Sequence, residues 1–412
     1  HDKAVQNVLR HIEQEYIVTR NRNRAENTVE YEKTDSMVAA TFKHTTSRAL
    51  DPLLHTHAVI MNATQRADGQ WRSIENKPLF IDQKHLGLVY RQYLAEEVQS
   101  LGYALDHGKD GTWEVASVSK EVIREFSKRS EAIENALEDR GKTRDSATAA
   151  EKETATLDTR DRKVRVERGE LLEQWQSEIG EDKLNELKEI IGQSEANRPT
   201  LEMKTEALLE RVQVANEAVM WAAEHLGERD TSWSRHELLK EASRYAGSRV
   251  VLTDVQNAID AAASDGLLQE KSVRIYDKVS QQEIDVRGYT SKAAIVIEDE
   301  MLKEEYIGRN RAGSLCSKER ATEAIAKAEE KANAAGYEWN SDQKRATEGI
   351  LTSKNRIIGV QGFAGTAKTT SVLRTVAETA REMGYEVRGL TPTNTAGQSL
   401  TDGAGIQSGT IQ

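Results

Sequence analysis

The run Gly362-Phe363-Ala364-Gly365-Thr366-Ala367-Lys368-Thr369 constrains the fold of this chain more than any other stretch. It separates an apolar, β-branched segment (356–360) from a helical pattern (369–383). This order, strand then glycine-rich loop then helix, aims backbone N–H groups and a helix dipole at a polyanion. Gly362, Ala364, Gly365, Thr366 and Ala367 are expected to line the loop and Lys368 to reach the outer phosphates of ATP. Thr369 is expected to place its hydroxyl on Mg²⁺, with Thr370 beside it. Ala367 stands where the pattern has its last glycine, and a methyl is tolerated there if the residue need not adopt φ > 0. Gln343, just before the helix leading to the loop strand, is placed for an amide contact with an adenine edge. A second strand at 387–391 makes the region the opening of a parallel α/β layer. No acidic residue able to organise Mg²⁺ follows on a later strand. The run Ile295-Val296-Ile297-Glu298-Asp299-Glu300 precedes the loop and reads as a helix with a charged end.

A second constellation lies near the other end. His55-Thr56-His57 falls on a strand-type run, where the two-residue period puts both imidazoles on one face. His44 ends the preceding strand-like segment, with enough chain between to turn back and present a third ring. Three histidines with further positions open form a catalytic rather than a closed structural geometry for a divalent ion. Zinc-hydroxide hydration, cupin-like redox chemistry and polarisation of a phosphodiester all use such a site, and imidazole count does not choose among them. Arg48, Arg66 and Arg72 add guanidinium groups suited to phosphate oxygens, and Trp71 is a candidate for stacking a base.

The rest of the chain organises around these two ends. Helix is expected from residue 1 to about 20, followed by polar 21–27. Strands are expected at 37–42 and 55–64, helix at 80–100 and a short hairpin at 108–118, which together make an α+β region of antiparallel sheet and helices. Residues 127–215 are charged, hold only Pro199, and read as a helical connector. Three helical patterns (218–225, 235–245, 252–264) and an alternating run at 268–276 suggest a small winged-helix-like module. Lacking a basic recognition stripe, it is read as a packing module. Helices at 291–305, 317–335 and 341–352 lead to the phosphate loop. The boundaries are therefore 1–126, 127–215, 216–290 and 291–412.

At 412 residues the chain is multidomain, and its net charge of −11 by itself speaks against a nucleic-acid partner. Location reverses that inference: residues 1–100 hold 13 basic and 13 acidic residues and 335–412 hold 8 and 7, so the middle carries the deficit. No apolar run approaches the roughly 20 residues of a membrane span. The single cysteine, Cys316, has no internal partner for a disulfide, which points to a reducing cytoplasmic setting. The start at His1 suggests a chain cut from something longer.

The stretch from His44 to Asn62, Arg66 to Arg72, Gly102-Tyr103, Gly108-Lys109-Asp110-Gly111 and Phe126-Ser127-Lys128-Arg129 resembles the TraI/TrwC-type conjugative relaxase–helicases. Asn340 to Ala346, Val360 to Thr370 and Leu390 to Ala396 look like the opening motifs of the RecD-like helicase that such proteins carry. The resemblance implies a relaxase-type α+β domain at 1–126, the helical connector, the winged-helix-like domain, and at 291–412 the first RecA-like motor domain. It implies strand-specific nicking at a plasmid transfer origin by a tyrosine nucleophile, with 5′-to-3′ unwinding driven by ATP. His44, His55 and His57 match the family's ligands for Mg²⁺, Mn²⁺ or Zn²⁺, and Gly362, Gly365, Lys368 and Thr369 match its phosphate loop. The implied partners are single-stranded transfer-origin DNA, duplex DNA and a bacterial conjugation machinery. The family's tyrosines and the acidic residue that helps activate them lie upstream of the position of His1. Tyr16 and Tyr31 do not match that motif, so no catalytic tyrosine is assigned. The later helicase motifs are also missing from this sequence, which therefore reads as a central fragment. Two other readings remain: a RecD-like repair helicase with a structural histidine-rich domain, and a non-enzymatic, nucleotide-sensing DNA-binding scaffold.

Overall fold

The computed structural model describes residues 1–23, 28–160, 166–363 and 365–411. They form two compact units, His1–Ala294 and Ile295–Gln412. Ala364 of the expected phosphate loop lies outside the described residues, as do 24–27 of the expected polar break.

The first unit opens with helix α1 (Asp2–Tyr16), which buries Ala4, His11, Ile12 and Tyr16 on one stripe. The helix ends four residues before the position expected from the sequence. Ile17 is extended (φ −86°, ψ 100°), and the β-branched Val18 and Thr19 start strand β1 (Val18–Asn23), paired antiparallel with β2 (Thr28–Lys33). Strands β3 (Ala39–Thr46) and β4 (Pro52–Ile60) form a separate antiparallel ribbon, followed by the short pair β5 (Thr64–Gln65) and β6 (Trp71–Arg72). Helix α2 (Lys77–Ile81) leads at Asp82 into α3 (Gln83–Ser100), which packs against α1. A small hairpin follows, β7 (Leu105–His107) with β8 (Trp113–Val115).

Helices α4 (Lys120–Glu125), α5 (Lys128–Glu138), α6 (Ala149–Asp158) and α7 (Arg168–Ala196) make up most of the charged middle. Gly180, at φ 78°, kinks α7. Helix α8 (Leu201–Gly227) starts where the Thr200 side chain accepts from the Met203 N–H. Then come β9 (Trp233–Ser234), α9 (Arg235–Ala246), α10 (Leu252–Ser264) and the hairpin of β10 (Leu268–Asp277) and β11 (Gln282–Ser291). Strand β11 also pairs with β9, giving the order β10-β11-β9. A Cβ at Gly288 would lie 2.2 Å from the Trp233 carbonyl oxygen, so this close strand crossing requires glycine.

The hydrophobic core is continuous across the boundaries placed at 126 and 215. Ala4 of α1 and Val89 and Tyr93 of α3 share one buried cluster with Ala218, Ala222, Leu238, Leu252, Ile259 and Tyr289. Arg211 on α8 clamps the same elements: it donates to both Asp254 oxygens on α10 (2.8 and 2.9 Å) and to Glu96 on α3 (2.5 Å). The 216–290 segment thus completes a core that the first hundred residues begin. Alternating patterns locate its elements but carry no information about which partner they cover.

Helix α11 (Lys292–Gly308) spans the division between the units. The second unit continues with α12 (Lys318–Ala334) and α13 (Ser341–Thr352). Residues 356–360, expected as the loop strand, pair with no strand among the described residues, and Ile357, Ile358 and Val360 are exposed. An apolar run becomes a strand only when a neighbouring strand takes up its backbone N–H and C=O groups in a ladder, and among the described residues the bond from the Arg356 N–H to the Gly308 carbonyl oxygen at 3.0 Å is not continued into one. The expected helix at 369–383 is also divided. A wide π-type turn over Lys368–Leu373 precedes α14 (Arg374–Glu382). Strand β12 (Arg388–Thr391), helix α15 (Asn394–Ala404) and β13 (Gln407–Thr410) form a parallel β-α-β unit.

Candidate functional site

The β3–β4 register decides where the imidazoles lie. His44 sits directly opposite His55, and Phe42 opposite His57, so His44, His55 and His57 share one face of the ribbon. Their ring centroids form a triangle with sides of 5.4 Å (His44–His55), 5.1 Å (His44–His57) and 5.1 Å (His55–His57). Three imidazoles around one ion at about 2.1 Å from each nitrogen have centroids roughly 5 Å apart, so the triangle has the right size for a divalent ion. Among the described residues no three His, Cys, Asp or Glu side chains form a ready-made metal cage. The strands set the spacing of the rings and not a finished ligand set. The His55 Nδ1 lies 3.0 Å from the Leu53 carbonyl oxygen, a bond that holds the proton on Nδ1 and leaves the Nε2 lone pair outward.

The turn joining the two strands is held by contacts that sequence reasoning did not anticipate. Asp51 accepts nothing on Oδ1 at hydrogen-bond distance, yet it is 3% exposed, and burial pushes its carboxyl above the usual range while Lys128 opposes the shift. The Lys128 Nζ lies 3.7 Å from Asp51 and 2.8 Å from Glu178 of α7. Trp175, also on α7, donates its indole N–H to the Leu50 carbonyl oxygen at 2.7 Å. Leu50 is left-handed at φ 62°, a conformation an L side chain adopts only when its surroundings impose it. Helices of the charged middle thus brace the hairpin that carries the histidines. Periodicity gives no sign of this, because the contacts span about 50 to 125 residues.

The DNA-contact candidates separate. Trp71 on β6 is 53% exposed, and Arg48 is exposed in the turn. Arg72 is exposed but tied to the Trp71 carbonyl oxygen and the Gln70 side chain. Arg66 turns inward, with its side chain 17% exposed and paired with Glu32 (2.7 Å) and Asp68 (3.2 Å). Its geometry is that of a brace between β2 and the turn after β5. Both tyrosines weighed against the nucleophile motif have hydrogen-bond partners within the protein. Tyr16 is buried and donates to Asp82 at 3.2 Å, and burial with the Asp82 charge drives its pKa far above the ordinary value. The Tyr31 hydroxyl meets the Val279 carbonyl oxygen at 3.4 Å.

In the second unit, Gly365 (φ 74°) and Ala367 (φ 55°) are both left-handed, with Thr366 between them. Ala367 therefore does adopt the positive φ that the sequence reading required it to avoid. The Lys368 Nζ donates to the Gly362 and Phe363 carbonyl oxygens, each at 2.5 Å, and the Thr366 hydroxyl donates to the Phe363 carbonyl oxygen at 2.8 Å. A Cβ at Gly403 of α15 would come within 2.9 Å of the Thr369 side chain, so α15 backs the loop. Thr370, beside it, is exposed. Gln343 takes part in a capping box at the start of α13. Its Oε1 accepts from the Asn340 N–H at 3.0 Å while the Asn340 side chain accepts from the Gln343 N–H at 2.8 Å. Its Nε2 reaches across to the Thr366 carbonyl oxygen at 3.1 Å.

Residues 1–181 match a family model described as TrwC relaxase, and residues 338–412 match one described as an AAA domain. The multifunctional conjugation protein TraI of Escherichia coli strain K12 is 31% identical over 191 residues, covering 44% of this chain and 10% of that protein. A second Escherichia coli TraI is 30% identical over 191 residues with the same coverage. The chain spans about a tenth of the length of these curated relatives. Among solved structures, the conjugative relaxase TrwC in complex with OriT DNA, metal-free, is 38% identical with a TM-score of 0.42, covering 45% of this chain and 64% of that one. The metal-bound form of that complex is 39% identical with a TM-score of 0.41, covering 43% and 61%. Among the described residues no helix is long and apolar enough to cross a membrane.

Proposed function

The chain is of the TraI/TrwC conjugative relaxase type, with a TrwC relaxase match over residues 1–181 and an AAA-domain match over 338–412, and from this premise we propose metal-assisted nicking of single-stranded transfer-origin DNA coupled to ATP-driven 5′-to-3′ unwinding. His44, His55 and His57 are the proposed ligands. The observation that carries this reading is the triangle of their ring centroids on one face of the β3–β4 ribbon. A divalent ion bound there supplies Lewis-acid charge to the non-bridging oxygens of a phosphodiester. The chain's own residues do the rest of the positioning. Leu53 fixes the His55 tautomer, and Trp175 and Lys128 hold the turn between the strands. Arg48, Trp71 and Arg72 offer exposed guanidinium and indole groups to the DNA backbone and bases.

Two finer readings accompany this one. Residues 216–290 are proposed as a winged-helix-like packing module; the order β10-β11-β9 around α9 and α10 supports the fold, and Asp254 and Asp260 on α10 speak against a groove-reading helix. Residues 291–412 are proposed as the first RecA-like motor domain, with Lys368 and Thr369 serving the phosphates and Mg²⁺ of ATP. The parallel β12-α15-β13 unit and the left-handed loop support it. The proposed setting is the bacterial cytoplasm beside a conjugation machinery.

Calorimetric titration with Mn²⁺ and with Zn²⁺ tests the metal centre. The wild-type chain is expected to bind one ion that His55→Ala/His57→Ala does not bind. Equal affinity in the two proteins would remove the metal assignment.

A further inference from the structure

We propose that His1 is a positioning residue for the proposed metal centre, holding the reverse face of the β3–β4 ribbon to helix α3 through Thr56. The inference rests on the metal reading of His44, His55 and His57. Thr56 lies between two of the proposed ligands, and strand alternation turns its side chain to the face opposite theirs. There its Oγ1 lies 2.7 Å from the His1 Nε2, and the Nδ1 of the same ring lies 2.8 Å from the Tyr90 hydroxyl of α3. A neutral imidazole donates from one nitrogen and accepts at the other, and either hydroxyl can take either part, so the ring is a bridge in both tautomers. The His1 and Tyr90 rings also meet edge to face, with centroids 5.9 Å apart. A second grip lies beside the first. Lys43, directly opposite Thr56 and next to His44, donates to the Asp2 carboxylate at 2.5 Å. Consecutive residues at the start of α1 thus hold both strands from behind.

Two sides of the histidine triangle depend on such a grip. The His55–His57 side runs along one strand and is set by its repeat. The sides from His44 to His55 (5.4 Å) and to His57 (5.1 Å) cross from β3 to β4, so they change whenever one strand moves against the other. Among the described residues these strands pair only with each other, and a lone two-stranded ribbon is marginally stable in water. The register also breaks between His44 and Thr46, so the ladder itself restrains His44 weakly. Of the two grips, the Lys43–Asp2 pair is exposed and contributes little. The His1 ring ties β4 to a helix anchored by the buried Leu88, Val89 and Tyr93. The brace therefore acts on the spacing of the ligands, and its loss weakens any ion that uses all three.

The experiment measures Zn²⁺ and Mn²⁺ affinity by calorimetry on the full chain, for wild type, Thr56→Val, Tyr90→Phe and the double variant. Each substitution removes one hydroxyl and keeps the shape of the side chain. Each single variant is expected to bind roughly three- to tenfold more weakly, the worth of one hydrogen bond. Because one ring carries both bonds, the double variant is expected to bind no more weakly than the weaker single one. Unchanged affinity in the single variants overturns the proposal. So does a double variant whose loss is the product of the two, the mark of independent local effects. His1→Phe keeps a ring against Tyr90 and removes both bonds, and is expected to match the double variant; wild-type affinity in it overturns the proposal. Hydrogen exchange on the metal-free proteins separates the brace from the metal reading. The amides of 39–46 and 52–60 are expected to exchange faster in either single variant than in wild type, with those of 86–98 unchanged. Equal exchange in the ribbon refutes the brace, and faster exchange in α3 as well refutes it in favour of a general loosening of the fold. Failure of the wild-type chain to bind either ion refutes the metal centre and the positioning role with it, while the exchange result still decides whether His1 holds the ribbon.

Discussion

Lowering the pH from 7 to 5 is expected to destabilise the unit His1–Ala294 through one side chain, His85 on α3. Its ring is 6% exposed, and its Nε2 has no hydrogen-bond partner. Burial, reinforced by His236, His11 and Lys240 and opposed by Asp82, holds its pKa down at about 4 against the ordinary 6.5. In the unfolded chain the imidazole takes up a proton near pH 6.5, whereas in the folded chain it resists until about 4. The unfolded state therefore binds more protons throughout that window, and stability falls as the pH falls from 6.5 toward 4. Integrated from pH 7 to 5, this one group removes about 2 kcal/mol. His85→Leu deletes the titrating group without breaking a hydrogen bond and keeps the site filled. Urea titrations at pH 7, 6 and 5, followed by tryptophan fluorescence, read the unit directly, since five of the six tryptophans lie within it. Wild type is expected to lose about 2 kcal/mol more than His85→Leu between pH 7 and 5. Parallel loss in the two proteins would refute the reasoning. His11, also held below its ordinary pKa by burial, leaves a residual slope in both, so the difference between the proteins is the quantity that decides.

Two further perturbations follow from strain and from buried charge. Ala367→Gly relieves the left-handed alanine and is expected to stabilise the second unit by about 0.5–1 kcal/mol, read as a rise in its thermal midpoint; a fall would mean that the loop is not strained. Arg211→Met leaves Asp254 nearly buried without its bidentate partner and is expected to cost about 2–4 kcal/mol in urea unfolding of the first unit. Adding Asp254→Asn, which removes the charge and keeps an acceptor for the Val251 N–H, is expected to recover much of that loss, and no recovery would show that the stranded charge is not its cause.

The sequence by itself determined what depends on local periods. The two-residue period of a strand puts His55 and His57 on one face, and the antiparallel return puts His44 beside them. The 3.6-residue period located α3, α9 and α10 nearly to their ends, because each buries a stripe that repeats within a few turns. The glycine spacing of 362–369 marked the loop and its lysine. What only the tertiary structure decided are relations between residues far apart in the chain. No local pattern says that Trp175 and Lys128 hold the turn at Leu50 and Asp51, that α8 to α10 complete the core begun by α1 and α3, or that Gln343 donates to Thr366. Nor does composition reveal that Arg66 turns inward to Glu32, or that 356–360 finds no strand to pair with among the described residues. In each case the outcome depends on which donor, acceptor or apolar surface packing brings within a few ångströms. Side-chain periodicity fixes the face a residue presents, and only the packed chain fixes what that face meets.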